Sequence, residues 1–255
     1  MKILTLNESL VNPLERYLRE DSLSNLYLLY DLLFLRSTKA TFYLAFQQEE
    51  IKGTLLVYTG YRQPIVWVQG SADAVTELIR VPKLEKAVFN VPADVVEVSE
   101  KTFTFTARYV MDYMVAKRSE VRLEIRHHVR RLASDDAHAY ATLRTPLEGG
   151  QGPSGDELQA ARDFIETNSV YGIFAGGQLA STAASHLKLP EGWAIGGVFT
   201  HPNYRGMGMA TSTSSAVLQE AFAHTQNVVL FVRSNSRKTR IREAGIQEIP
   251  RESLA

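Results

Sequence analysis

The stretch Gly197-Val198-Phe199-Thr200-His201-Pro202-Asn203-Tyr204-Arg205-Gly206-Met207-Gly208-Met209-Ala210 constrains the fold more than any other part of the chain. Its leading apolar run, Ala194 to Phe199, reads as a strand, and Pro202 stops it. Arg205 to Met209 is a short basic turn carrying two glycines. From Ala210 the pattern turns helical, with Val217, Leu218, Ala221 and Phe222 on one face. Strand, glycine turn and helix in this order build an anion site. The first backbone N–H groups of a helix lack intrahelical partners, and the helix dipole adds partial positive charge there. Glycine, without a Cβ, lets the backbone come close to a ligand. A diphosphate suits such a place, although an ordinary strand–helix turn also uses glycine for tightness.

The rest of the chain sets bounds on this reading. A length of 255 residues accommodates one large domain or two modest ones, and 45% hydrophobic residues suffice for a true core. Lys+Arg and Asp+Glu both total 28, so net charge draws the chain toward neither nucleic acid nor membrane, and neither is expected as a partner. The absence of cysteine excludes disulfides, thiolate metal sites and a cysteine nucleophile. His127-His128 lacks the companions of a metal cluster, and no other ligand spacing stands out, so no metal is expected. Met1 to Glu8 lacks a long apolar h-region and no run approaches a membrane span, from which a cytoplasmic location is expected.

Periodicity predicts helix over 8–36, with Asn12-Pro13 as cap and first helical residue. Thr41–Phe46 and Ile51–Tyr58 read as a hairpin, Ile65–Val68 as a third strand, Val75–Ile79 as helix, and Lys86–Asn90 as a fourth strand. Tyr109 to Val115 is extended or partly helical. A second unit is expected from residue 120. Val121–Ile125 and Val129–Leu132 alternate as strands, and Ala133–Asp136 caps a helix through Tyr140 and Leu143. Glu148–Gly155 is linker-like, Asp156–Thr167 helical, and Val170–Ala175 with Leu179–Leu187 a hairpin. The order hairpin, strand, helix occurs in both halves, at Phe42 to Ile79 and at Val170 to Phe222, and suggests an internal repeat.

Arg205-Gly206-Met207-Gly208-Met209-Ala210 fits the (Arg/Gln)-x-x-Gly-x-(Gly/Ala) motif of the GNAT N-acetyltransferases, which bind acetyl-CoA. The approach through Val198, Pro202 and Tyr204 is similar to that family's, and 129–137 resembles its entry strand and first helix. The resemblance implies an α/β acyl-CoA N-acyltransferase (GNAT) fold, with a mixed, mostly antiparallel sheet and flanking helices. The repeat then reads as two GNAT-like halves, 1–119 degenerate and 120–255 binding acetyl-CoA, since Val68 to Asp73 lacks the motif's basic and small residues.

By resemblance, the diphosphate would meet the loop Arg205, Gly206, Met207 and Gly208 and the amides of Met209, Ala210 and Thr211. Val198, Phe199 and Thr200 would run beside the pantetheine arm, and Asn235 would touch it from the next strand. The family's usual acid, a Tyr in the last helix, has Ile241 as counterpart here, or Arg240 or Arg242 with a one-residue slip; no Tyr follows Tyr204. His201, His186 and Glu191 are candidate bases, each more simply read as a surface residue. Arg233, Arg237, Lys238, Arg240 and Arg242 could meet a phosphate or form the solvated face of a helix. The implied reaction is direct acetyl transfer to a small-molecule or peptide amine, with a homodimer as a further expectation. The missing Tyr keeps a non-catalytic acyl-CoA sensor or interaction module as the alternative.

Overall fold

A computed structural model of the chain describes residues 1–61, 63–144, 152–233 and 247–248. They divide into two units, 1–108 and 109–255.

In the first unit, β1 (Lys2–Thr5), β2 (Ala40–Gln47), β3 (Glu50–Tyr58), β4 (Ile65–Gly70) and β5 (Val88–Asn90) form one sheet in sequence order. All neighbours are antiparallel except β4 and β5, which are parallel around the crossover helix α3 (Ala72–Leu78). The β2–β3 turn places Gln48 and Glu49 at φ 50° and 68°, the twist that a two-residue hairpin loop needs. Alternation sends Val66 and Val68 of β4 onto α3, where they are buried with Val75, Leu78 and Ile79. Trp67 faces the other way and stacks on Tyr27, ring centroids 4.9 Å apart.

The N-terminal helical stretch is two helices, α1 (Glu8–Arg19) and α2 (Leu26–Phe34). The cap of α1 is Asn7, not Asn12: Asn7 Oδ1 accepts the Ser9 N–H at 3.0 Å. Pro13 sits inside α1, which forgoes the one backbone bond that a proline cannot donate. A short helix, α4 (Val96–Glu100), ends this unit's regular structure.

The second unit holds β6 (Met111–Lys117), β7 (Arg130–Arg131), β8 (Ser169–Ala175), β9 (Gln178–Lys188), β10 (Trp193–Thr200), β11 (Asn227–Arg233) and β12 (Gln247–Glu248). Its sheet order is β12-β6-β11-β10-β9-β8-β7. The hairpin β8–β9, antiparallel β10 and parallel β11 repeat the scheme of β2 to β5, with α7 (Met209–Ala221) in the place of α3. The division falls at 108/109 and not at 119/120, because β6 pairs with the whole length of β11, Lys117 opposite Asn227 to Met111 opposite Arg233.

Val121–Ile125 joins no sheet. Its alternation has another cause: the Glu124 and Arg126 N–H groups donate to Ser215 Oγ and Ser212 Oγ of α7, each at 3.0 Å. The helices α5 (Ala137–Arg144) and α6 (Gly155–Thr167) cover one sheet face over Val170, Leu179 and Ala184. The other face packs Ala183, Ile195 and Val228 on Val217, Leu218 and Ala221 of α7. Among the described residues no helix is long and apolar enough to cross a membrane.

Candidate functional site

The site begins where two parallel strands part. β10 and β11 pair from Trp193/Val228 to Ile195/Leu230, and the ladder ends there, although both strands continue. From Gly196 onward the β11 side of β10 therefore offers backbone polar groups that no strand among the described residues takes. The opening is a cleft of about 850 Å³ between Gly196–Val198 on one wall and Leu230–Arg233 on the other, ending on the glycine turn.

β10 is bulged at this point. Gly196 pairs with Ala184 but Phe199 with Thr182, so β10 holds one residue more than β9 between the pairs. Gly197, at φ 61°, takes the left-handed geometry the bulge requires. Ser181 Oγ lies 2.9 Å from Thr200 Oγ1 and 3.4 Å from Thr213 Oγ1, tying β9, β10 and α7 together at the cleft floor.

Beyond β10 the chain makes one 3-10 turn, Pro202–Tyr204, and Tyr204 Oη donates to the Ala175 carbonyl at 3.2 Å. Arg205 Nε donates to the Thr200 carbonyl at 3.1 Å, which holds the guanidinium against the strand end. Gly208 then opens α7 in the left-handed conformation, φ 78°. No side chain caps α7 and its first turn has no acid. The first main-chain N–H to bond back is that of Ser212, to Gly208, so those of Met209, Ala210 and Thr211 face the cleft without an intrahelical acceptor. Uncapped amides, a helix dipole and Arg205 together make this end of the cleft a place for an anion.

The residues expected from sequence mostly converge here. Val198, Thr200, Arg205, Gly206, Met207, Gly208, Met209, Ala210 and Thr211 all line the cleft. The side chain of Phe199 does not; it packs on the opposite face with the α5–α6 cluster. Asn235, Ile241 and the cluster Arg237, Lys238, Arg240 and Arg242 lie outside the described residues, as does 145–151 of the linker.

The candidate bases separate. Glu191 sits in the turn before Trp193, at the far end of β10, where its carbonyl accepts from Asn227 Nδ2 at 3.1 Å. His201 caps the 3-10 turn, its Nδ1 accepting the Asn203 N–H at 3.3 Å. Neither lines the cleft. His186 alone comes close, at the place where β9 bulges, with its ring over Gly196: a Cβ there would lie 2.8 Å from His186 Cε1.

Burial pushes the His186 imidazole down to about 4. The unfolded chain, at an ordinary value near 6.5, then takes up a proton that the native state refuses. Stability conferred by the neutral ring is complete above about pH 6.5 and is lost as the pH falls toward 4. His186→Gln, which does not titrate, is expected to lose roughly 3 kcal/mol less than the wild type between pH 7 and pH 4. Urea unfolding at several pH values in this window measures it.

Sequence reasoning missed the wall supplied by 124–127. Glu124 and Arg126 line the cleft from a segment hung on the serines of α7, and His127 Nε2–H donates to the Met207 carbonyl at 2.8 Å. Ser212 and Ser215, one helical turn apart beside the motif, were the available signal.

A splayed parallel pair, a bulged strand and a glycine turn at an uncapped helix together form one continuous opening in the sheet whose end offers donors to an anion. Residues 137–242 match the model of the acetyltransferase (GNAT) family, and the chain carries a domain of that family. Three solved structures share the fold over nearly the whole chain. A Drosophila protein is 13% identical, with 97% of this chain and 95% of that chain covered and a TM-score of 0.68. A GNAT-family acetyltransferase from Colwellia psychrerythraea is 14% identical, with 97% and 96% covered and a TM-score of 0.61. A tandem GNAT protein from the clavulanic acid biosynthesis pathway is 14% identical, with 97% and 95% covered and a TM-score of 0.59. No curated protein sequence matches the chain significantly.

Proposed function

We propose that the second unit transfers an acetyl group from acetyl-CoA directly to an amine. The observation that carries this reading is the cleft between β10 and β11 running into the uncapped start of α7. The diphosphate of the donor would lie on the amides of Met209, Ala210 and Thr211, with Arg205 beside it. The pantetheine arm would follow the unpaired edge of β10 between Gly196 and Val198. A main-chain N–H at the bulge would face the thioester oxygen, where negative charge grows during attack. The neutral amine nitrogen bonds to the carbonyl carbon, the C–S bond breaks, the amine proton leaves to solvent or a nearby base, and the thiolate takes up a proton as CoA departs. No covalent enzyme intermediate is needed, in keeping with a chain that has no cysteine.

The reading includes a cytoplasmic, metal-independent enzyme and a homodimer, with the first unit as a degenerate copy of the second. A second reading, an acyl-CoA sensor without turnover, draws on the lack of any Tyr after Tyr204. Thiol release from acetyl-CoA across a panel of amines separates the two. Amine-dependent release supports transfer, whereas tight donor binding with no release for any amine supports the sensor.

A further inference from the structure

We infer that His127 is a positioning residue of the donor site: by holding the Met207 carbonyl behind the glycine turn, its ring keeps the Gly208 N–H turned into the cleft. This inference rests on the acetyl-transfer reading and adds to it the group, eighty positions upstream of the motif, that sets the motif's shape.

The turn needs such a group. Gly206 and Gly208 stand at φ 89° and 78°, on either side of Met207. Glycine takes positive and negative φ about equally well, so a peptide unit bordered by it turns over at little cost. At its entry the turn is held by Arg205, whose Nε bonds the Thr200 carbonyl, and at its exit by α7. Met207, in the middle, is 57% exposed, and packing does not fix it. The contact that reaches the middle is His127 Nε2 on the Met207 carbonyl, at 2.8 Å. A carbonyl only accepts, so the ring nitrogen carries the proton.

A trans peptide unit is planar, with its C=O and N–H on opposite sides. Fixing the Met207 carbonyl therefore fixes the Gly208 N–H of the same unit and points it away from His127. Met207 and Gly208 line the cleft and His127 does not. The carbonyl is thus drawn to the outer side, and the N–H is left for the cleft. Among the described residues nothing accepts from that N–H. Turned over, the same unit would show a diphosphate an oxygen where a donor is wanted.

His127 is itself held from outside the motif. The strap 121–129 begins with Val121 packed on the α7 core and ends with Val129 beside Met209 and Tyr204. Between these anchors the Glu124 and Arg126 N–H groups donate to Ser215 Oγ and Ser212 Oγ. Both serines are 1% exposed and lie on the flank of α7 that leads back to Gly208. The strap follows that flank and delivers His127 to the turn. This gives a use to buried serines in a helix interior, where serine is not favoured for its propensity.

The first unit supplies a contrast. At the start of α3, Ser71 Oγ accepts the Ala74 N–H at 3.3 Å. That helix is closed by its own cap, whereas α7 keeps its start open and has its turn held from a distance.

The test uses the full chain as wild type, His127→Leu and His127→Gln, since glutamine keeps a donor and leucine only bulk. His127→Leu is expected to weaken acetyl-CoA binding at least about 10-fold, the scale of one hydrogen bond to a charged group, and His127→Gln to recover most of the loss. Thermal melts serve as the folding control. In amide NMR spectra, CoA is expected to move the Gly208 resonance downfield in the wild type and in His127→Gln, and to leave it near its free position in His127→Leu. Equal affinity of His127→Leu and wild type, no recovery in His127→Gln, or a Gly208 shift that ignores the substitution overturns the inference while leaving acetyl transfer intact. So does a Gly208 resonance that CoA does not move in the wild type, a result that stands even where His127→Leu fails to fold. Failure of the wild type to bind acetyl-CoA would instead overturn the reading beneath, and this inference with it.

Discussion

Gly208→Asp is expected to weaken acetyl-CoA binding at least about 100-fold while leaving the fold in place. Gly208 stands at φ 78°, a conformation that Asp tolerates better than most residues, at a cost on the order of 1 kcal/mol. The new Cβ would have His127 Nε2 as its nearest neighbour at 3.9 Å, so it has room. A carboxylate at the uncapped start of α7 also favours the helix, by roughly 0.3–1 kcal/mol, which offsets the strain. The same carboxylate places negative charge where the diphosphate must go and competes for the same amides. Binding and stability therefore separate, and calorimetric titration beside a thermal melt records both. A variant that melts like the wild type yet no longer binds shows that this turn is the anion site.

Gly197→Val is the second large effect. A β-branched residue at φ 61° carries strain on the order of 1–3 kcal/mol, and its methyl groups would press on Ala184, Tyr140 and Arg144 and displace the bulge whose N–H the proposed mechanism sets at the thioester oxygen. The substituent points to the α5–α6 face, away from α7. Turnover with an amine is expected to fall at least about 100-fold in kcat/KM, equivalent to roughly 2.7 kcal/mol of transition-state stabilisation. The donor Kd should change clearly less than kcat/KM, since the diphosphate end is untouched. Steady-state kinetics and donor titration on one preparation measure the pair of effects. Equal losses in both would mean that the bulge serves only to hold the sheet together.

Much of this site was legible because its signals are local. Pro202 ends a strand, Gly206 and Gly208 shape a turn, and the spacing of Val217, Leu218, Ala221 and Phe222 turns one face of α7 to the sheet. The repeated order of hairpin, strand and helix was equally open to view, and the pairings of β2 to β5 match those of β8 to β11. Local rules failed where the decisive partner is distant in sequence. Met111–Lys117 has no clean alternation because it is an inner strand between β11 and β12, with Met114, Val115 and Ala116 all buried. Val121–Ile125 alternates without being a strand, its backbone bonded to serines more than eighty positions on.

Glu191 and His201 were drawn in by nearness to the motif, yet β10 runs between them and carries Glu191 to the wrong end of the cleft. Tyr140 and Arg144 carry no motif at all. They come to the bulge because the apolar stripe of α5 packs on Ala184, a relation visible only in three dimensions.

The central claim is that the β10–β11 cleft and the start of α7 hold acetyl-CoA. Calorimetric titration of the purified full chain with acetyl-CoA and with CoA tests it most directly. Saturable binding of both at one site, in the micromolar range, is the predicted result. A cooperatively melting protein that takes up neither compound at millimolar concentration would contradict it.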